Sequence, residues 1–146
     1  MQDFHLSSTQ GEFRLSDYRG KKVLLYFYPK DKTPGCTIEG HEFSQFLPEF
    51  QKLNTVVFGV SRDSLESHLD FKDCESYSVD LISDPEEVAC KIFDVIHEKN
   101  MYGKMVLGLV RSTFLIDEEG KLLQEWRSVK AEGHARHVLD TLKSFS

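Results

Sequence analysis

Apolar residues follow two different spacings along this chain, one typical of β-strands and the other of α-helices. Residues 4–6 and 12–15 flank the turn Thr9-Gln10-Gly11, and this pattern predicts an N-terminal β-hairpin. Residues 23–28 are almost continuously apolar, as expected of a central strand that is buried on both faces. Residues 55–61 have the same character and predict a second buried strand.

Helical spacing begins at Cys36. Four apolar residues occupy one face of the predicted helix: Phe43, Phe46, Leu47 and Phe50. Pro48 lies inside this pattern and predicts a bend, because proline removes a backbone hydrogen bond. The helix is therefore expected to begin at the residue that carries the thiol.

Capping patterns and a final apolar stripe indicate three further helices. Asp63 and Glu66 have the spacing of a capping box. Asp84 precedes Pro85, as an N-cap residue precedes a proline at the first helical position. The closing helix is indicated by an apolar stripe made of Val138, Leu139, Leu142 and Phe145.

The last strands are predicted as a second hairpin, in which residues 110–116 and 121–126 flank the turn at 117–120. Residues 97–109 show no regular spacing, and we expect an exposed loop there. Strand-like and helix-like segments alternate without a repeat or a linker, which is the pattern of an α/β fold. A chain of 146 residues suffices for one core but not for two ordinary domains. Residues 1–146 are therefore predicted to form a single domain.

Composition narrows the possible classes of function. The net charge is −6 and basic residues are not clustered, which argues against nucleic acid and anionic membrane surfaces as partners. No apolar run reaches the length of a membrane span, and the first residues lack the pattern of a signal peptide. The three cysteines lack the paired short spacing of a disulfide framework or a zinc cage. We therefore expect a reducing, cytoplasmic setting.

The most informative stretch is residues 26–36, where an apolar run breaks into a loop that contains Pro29 and Pro34 and ends at Cys36. A helix N-terminus offers unpaired backbone N–H groups and the positive end of the helix dipole, and both stabilise a thiolate. The alternative is a small buried side chain after a turn, which is the common fate of a free cysteine.

The spacing Pro29-x-x-x-Thr33-x-x-Cys36 resembles the active-site signature of the peroxiredoxins, which are thiol peroxidases. Five further blocks resemble, in order and spacing, the bacterioferritin comigratory protein or PrxQ subfamily of that family: residues 4–15, 23–28, 56–61, 81–84 and 111–117. The resemblance covers nearly the whole chain. It implies a thioredoxin-like fold, in which helices flank a central mixed β-sheet.

Cys36 is the predicted nucleophile, whose sulfur attacks one peroxide oxygen while the O–O bond breaks and a sulfenic acid forms. Negative charge develops on the departing oxygen, and donors placed there contribute more than ionising the sulfur. The candidate donors are Thr33 and Arg111, with the backbone N–H groups of Cys36 and Gly35. The resemblance implies that Thr33 binds the peroxide and that Arg111 holds it and stabilises the thiolate. Alternatively, Thr33 satisfies its own loop and Arg111 is a solvated strand flank.

Pro29 and Pro34 have a predicted shaping role. Neither can donate a backbone N–H, and both fix φ. We expect them to hold the loop and to shield the sulfur from water without taking part in the chemistry.

The sequence leaves open which thiol resolves the sulfenic acid. Some members of the subfamily have a second cysteine, which resolves the sulfenic acid, where this chain has His41. A metal site made of Cys36, His41 and another cysteine is disfavoured, because Cys36 and His41 do not share a helix face. Other members carry the resolving cysteine directly after a Phe on the helix that follows the second strand. Here Cys74 stands two residues late, a rotation of about 200° on a helix. Cys90 is predicted to be a bystander that lies off the apolar face of its helix, and either cysteine would need local unfolding to pair.

Together these features predict a monomeric or weakly associating peroxidase that reduces hydrogen peroxide and organic hydroperoxides without a metal or an organic cofactor. Thioredoxin is the expected reductant, through a transient Cys36–Cys74 disulfide, because the turn after Cys74 loses apolar periodicity and should open at low cost. One alternative is a one-cysteine peroxidase regenerated by an external thiol, and another is a redox-gated chaperone or binding protein. A general disulfide oxidoreductase is disfavoured because the chain lacks a Cys-x-x-Cys pair.

Overall fold

The protein is built around a β-sheet in the computed structural model, which describes residues 2–145, with the backbone alone at residues 100 and 101. The strands are β1 (His5–Ser8), β2 (Gly11–Arg14), β3 (Lys22–Phe27), β4 (Thr55–Ser61), β5 (Asp80–Ser83), β6 (Ile96–Met101), β7 (Lys104–Leu109), β8 (Ser112–Ile116) and β9 (Leu122–Trp126). Seven of them form one sheet in the order β2-β1-β5-β4-β3-β8-β9, and β6 pairs with β7 separately.

The seven-stranded sheet is mixed, as predicted. β4 pairs in parallel with both β3 and β5, whereas β8 is antiparallel to both β3 and β9. The predicted N-terminal hairpin is formed by β1 and β2, and it joins the sheet through β5. Phe27 pairs with Ser112, so the end of β3 lies beside the start of β8. This register brings the loop that leads to Cys36 close to Arg111.

Helices cover both faces of the sheet, and the described residues form α1 (Pro34–Lys52), α2 (Leu65–Glu75), α3 (Val88–Ile92) and α4 (His134–Ser144). Along β3, Leu24 and Tyr26 enter a core shared with α1, α2 and α4. Phe27 enters a second core, shared with α3, on the opposite face. Cys36 belongs to the first core and Cys90 to the second.

The caps of α2 and α3 differ from those predicted. Ser64 rather than Asp63 caps α2, and its hydroxyl accepts a hydrogen bond from the backbone of the first turn. The carboxylate of Asp63 binds the loop before α1 instead. α3 follows Glu87, which has a left-handed backbone with φ of 61°. The Asp84 carboxylate still reaches α3, where it accepts a hydrogen bond from the N–H of Cys90 at 2.9 Å.

The prediction of an exposed loop at residues 97–109 is wrong, because the chain forms the antiparallel β6–β7 hairpin there. Met105, Val106 and Leu107 are consecutive, apolar and all exposed. A hairpin with little burial on either face lacks the alternation by which a strand is recognised. Phe145 also departs from its predicted stripe, since it lies just after α4 and is exposed.

Candidate active site

The loop that leaves β3 delivers Cys36 to the first turn of α1. Pro34 is the first helical residue, a position where its missing N–H costs no hydrogen bond. The helix therefore begins two residues before the cysteine. Its first hydrogen bond runs from the N–H of Thr37 to the carbonyl oxygen of Thr33 at 2.9 Å. The N–H groups of Gly35 and Cys36 precede that bond, and helix geometry leaves them available to a ligand atom.

Arg111 contacts the buried sulfur of Cys36. Its Nη2 lies 3.3 Å from Sγ, and its Nη1 donates to Oε1 of Glu39 at 2.5 Å. The arginine side chain is only 15% exposed, so it is not a solvated strand flank. Gly35 provides the space for it, because a Cβ at that position would lie 3.1 Å from Nη2. The fold thus brings together Cys36, Gly35 and Arg111, which the sequence analysis named as members of one site.

Glu39 is a member of the site that the sequence analysis missed. It is fully buried, and burial raises its pKa to about 7 against the opposing charge and hydrogen bond of Arg111. Its Oε2 has no hydrogen-bond partner among the described residues. Spacing could have identified it, because residues three apart on a helix share a face, as Cys36 and Glu39 do. One guanidinium therefore serves both a thiol and a carboxyl group.

Thr33 immediately precedes α1 but its side chain does not cap the helix. Its hydroxyl donates to the carbonyl oxygen of Lys30 at 2.9 Å. A hydroxyl has one hydrogen, so in this conformation Thr33 offers a ligand its lone pairs. The geometry places a hydrogen-bond acceptor where the sequence analysis expected a donor. Pro29 is half-buried in the same loop.

Two tyrosines pack in the core that contains Cys36. The Tyr77 hydroxyl donates to the carbonyl oxygen of Thr37 at 2.9 Å. Its ring lies so close to α1 that a Cβ on Gly40 would be 2.4 Å from it. Tyr26 is buried in the same core. Burial is the main cause that raises the pKa of both tyrosines, and negative charge at Cys36 is a lesser one.

Cys74 is exposed near the C-terminal end of α2, a helix that packs through Phe71 on the core that contains Cys36. Its Sγ lies 3.6 Å from Oδ1 of Asp70, and the charge of Asp70 raises the pKa of the Cys74 thiol. Asp70 in turn pairs with Lys32 in the loop before α1. Cys74 is therefore linked to the active-site loop through one ion pair.

Cys90 is buried in the core on the other face of the sheet. The prediction that it lies off the apolar face of its helix is wrong, since Cys90 is buried whereas Val88 is exposed. Burial raises the pKa of the Cys90 thiol, and the charge of Asp84 raises it further. The central sheet separates this thiol from Cys36.

The turn that follows Cys74 is held by contacts that its lack of apolar periodicity did not indicate. Nζ of Lys72 donates to backbone carbonyl oxygens beyond the helix, including that of Tyr77 at 2.9 Å. His41 of α1 lies 2.8 Å from Oε1 of Glu75. These contacts add to the free energy of opening the turn, and that it opens more readily than the helix of Cys90 stays a prediction.

The described residues contain no group of three or more His, Cys, Asp or Glu side chains that could hold a metal ion. His41, considered above as a metal ligand, contacts Glu75 instead. None of the helices within residues 2–145 has both the length and the apolar character needed to cross a membrane.

Comparison with known proteins relates nearly the whole chain to one family. The sequence profile of the AhpC/TSA family matches residues 1–125. Peroxiredoxin Bcp of Xanthomonas campestris is 50% identical over 143 residues, which cover 97% of this chain and 89% of that protein. Peroxiredoxin Bcp of Bacillus subtilis is 46% identical over 145 residues, which cover 99% of this chain and 92% of that protein.

Solved structures of such proteins have the same fold. The bacterioferritin comigratory protein of Xanthomonas campestris, solved in intermediate and ligand complexes to explain its alkyl peroxide reduction, matches with a TM-score of 0.92 at 49% identity. The match covers 97% of this chain and 91% of that chain. Peroxidoxin BcpB of Mycobacterium tuberculosis matches with a TM-score of 0.86 at 30% identity and covers 100% of this chain and 95% of its own.

Proposed function

Because this chain belongs to the AhpC/TSA peroxiredoxins, in the Bcp or PrxQ branch, and is a thiol-dependent peroxidase with a thioredoxin-like fold, we propose that Cys36 is its peroxidatic residue. The observation that carries the proposal is that Cys36 lies in the first turn of a helix and that its Sγ is 3.3 Å from Nη2 of Arg111. We propose that the enzyme works as a monomer, with Cys36, Gly35 and Arg111 all supplied by the same chain.

In the proposed reaction the Cys36 thiolate attacks one peroxide oxygen, and an S–O bond forms as the O–O bond breaks. The sulfur is oxidised to a sulfenic acid, and the peroxide is reduced by two electrons. The departing oxygen takes up a proton and leaves as water or an alcohol. Arg111 and the N–H groups of Gly35 and Cys36 are the donors for its developing charge, and one such donor is worth about 10²–10³ in rate. The lone pairs of Thr33 accept the hydrogen bond of the hydroperoxide O–H.

The proposed substrates are hydrogen peroxide and organic hydroperoxides. The Xanthomonas campestris protein is described as reducing alkyl peroxides. In this chain the β6–β7 hairpin lies within electrostatic reach of the site, since Arg111 adds to the effect of burial and lowers the pKa of Lys99. The same hairpin exposes Met105 and Leu107, which offer apolar surface to an alkyl group.

For the reductive half of the cycle we propose thioredoxin, acting on a transient Cys36–Cys74 disulfide. Cys74 is the exposed thiol, it lies on a helix that packs on the core of Cys36, and it is linked to Lys32 through Asp70. The Cys90 thiol lies across the sheet. If the contacts that hold the Cys74 turn do not open, the enzyme uses an external thiol instead.

The Cys36→Ser variant tests the peroxidatic assignment. Serine preserves the shape of the site but its hydroxyl is not ionised, so we expect no reaction with hydrogen peroxide in a stopped-flow assay and an unchanged far-UV spectrum. Cys90→Ser is the matched control, because it alters a thiol outside the proposed site, and it should react at the normal rate. Substantial peroxide consumption by Cys36→Ser would sink the assignment.

A further inference from the structure

Asp31 anchors the loop between β3 and α1 to the neighbouring elements. Asp31 is only 5% exposed, while every other residue between 29 and 33 is half-buried or exposed. Its carboxylate accepts hydrogen bonds from the hydroxyls of Tyr28 and Ser67, each at 2.7 Å. Its backbone N–H donates to Oδ2 of Asp63 at 2.9 Å. The loop is thereby fastened to α2 and to the turn before α2, and Asp31 is also tied to Tyr28, the residue that follows β3.

The central contact of this anchor is with His68 of α2, whose side chain is fully buried. Its Nδ1 lies 2.7 Å from Oδ2 of Asp31, and its Nε2 lies 2.9 Å from the carbonyl oxygen of Ile82 in β5. A carbonyl oxygen can only accept, so Nε2 carries a hydrogen. The contact between Nδ1 and the carboxyl group holds a second proton. Burial raises the pKa of Asp31, but the hydrogen bond and charge of His68 outweigh it and the pKa is lowered. Asp31 and His68 are therefore joined through one shared proton at a fully buried contact.

A buried polar pair of this kind is poorly explained as a source of stability, because the loss of hydration by both side chains cancels much of their mutual attraction. Its neighbours indicate a positional role. Lys32 directly follows Asp31 and has a left-handed backbone with φ of 67°, which is unfavourable for a residue with a side chain. Thr33 comes next, and its hydroxyl bonds back to the loop. A strained turn of this kind persists only where surrounding contacts fix it.

We propose that Asp31 and His68 form a positioning pair that holds Thr33 beside Cys36 during peroxide attack. The proposal rests on the peroxide-binding role of Thr33 given above. Neither Asp31 nor His68 touches the sulfur, so they act through the loop. Because His68 is part of α2, the pair also makes the peroxide-binding loop depend on the helix that carries Cys74.

A double-mutant cycle tests the proposal. The second-order rate of Cys36 with hydrogen peroxide is measured by stopped flow in Asp31→Asn, Thr33→Val and the double variant. We expect Asp31→Asn to slow this step about 10-fold to 100-fold, because small misplacement of a substrate-binding group has costs of that order. The double variant should be no slower than Thr33→Val alone, because the anchor has nothing left to position. The rate at which iodoacetamide alkylates Cys36, followed by peptide mass spectrometry, should differ less than about two-fold between Asp31→Asn and the natural chain. This limit corresponds to the few tenths of a kcal/mol within which independent sites are additive.

Two substitutions of His68 separate its contacts. Asn retains a donor at the position of Nδ1, towards Asp31, whereas Gln retains one at the position of Nε2, towards Ile82. We expect His68→Asn to preserve more of the peroxide rate than His68→Gln. Phe93→Leu, in the core on the other face of the sheet, serves as a destabilised control, and urea unfolding confirms that each variant is folded under the assay conditions.

Three results would overturn the proposal. The first is a normal peroxide rate in Asp31→Asn while Thr33→Val is slow. This result would reject the positioning role of Asp31 and His68 and leave the role of Thr33 intact. The second is an equal loss in the peroxide and iodoacetamide reactions, or additive losses in the cycle, which would mean general loosening. The third is a normal rate in Thr33→Val, which removes the proposed role of Thr33 and the positioning role with it.

Discussion

Arg111 binds two groups that compete for its single positive charge, the sulfur of Cys36 and the carboxyl group of Glu39. If both were anionic, the buried site would carry a net negative charge, which is costly away from water. A pKa of about 7 for Glu39 allows its charge to adjust near neutrality. The guanidinium fork lets one residue contact both groups at once.

We expect Arg111→Ala to lower kcat/KM for peroxide by about 10²-fold or more, because it removes a donor from the developing charge. Arg111→Lys should recover only part of the loss, because a single ammonium group cannot contact Glu39 and the sulfur in the same way as the fork. Steady-state kinetics under limiting peroxide measure both effects. Near-normal values in either variant would assign Arg111 a structural role.

At the scale of elements, α2 connects the two halves of the proposed cycle. Its first turns carry His68, which binds the active-site loop, and its last turn carries Cys74. Lys72 and Glu75 fasten that last turn to the following loop and to α1. Local opening of the end of α2 is therefore the step on which an internal disulfide depends.

Cys74→Ser should leave the first reaction with peroxide unchanged and abolish turnover with thioredoxin, because the sulfenic acid would have no internal thiol to attack it. Intact-mass analysis after one equivalent of peroxide should show loss of two hydrogens in the natural chain and gain of one oxygen in the variant. Cys90→Ser should behave like the natural chain. Normal thioredoxin turnover in Cys74→Ser, with a persistent sulfenic acid in the natural chain, would identify a one-cysteine enzyme.

At the scale of the whole molecule, α4 packs on the core that contains Cys36, and its first residue, His134, is buried. His134 lies 2.7 Å from the hydroxyl of Thr113. Burial lowers its pKa to about 4, and the charges of His137 and Arg111 add to the effect. His134 is therefore neutral in the folded protein, whereas in the unfolded chain it takes up a proton below about pH 6.5.

This difference predicts an acid-dependent loss of stability. The free energy of unfolding is highest above pH 6.5, where the histidine is neutral in both the folded and the unfolded chain. It decreases as the pH falls from 6.5 towards 4, because only the unfolded chain takes up the proton in that range. His134 accounts for about 3 kcal/mol of that loss. Urea unfolding of the natural chain and His134→Gln at several pH values measures it. The two stability curves should converge as the pH falls, and parallel curves would contradict the buried neutral histidine.

The candidate site was predicted from the sequence where its members are close along the chain. Pro29, Thr33, Gly35 and Cys36 lie in one loop and one helix start, and local backbone rules define both. Glu39 was within reach of the same reasoning, because it lies three residues after Cys36 on one helix, but its partner Arg111 is 72 residues away along the chain. The acceptor geometry of Thr33 depends on a bond to Lys30 that no spacing rule predicts.

The sequence by itself determined the alternation of strands and helices, the N-terminal hairpin and the position of Cys36 near a helix start, because side-chain periodicity is a local property of the backbone. Only the tertiary structure decided that Arg111, 75 residues away, reaches Cys36, and that Cys90 lies in the other core. Those outcomes depend on the β3–β8 register and on which faces pack together, and periodicity specifies that a face is buried but not what buries it.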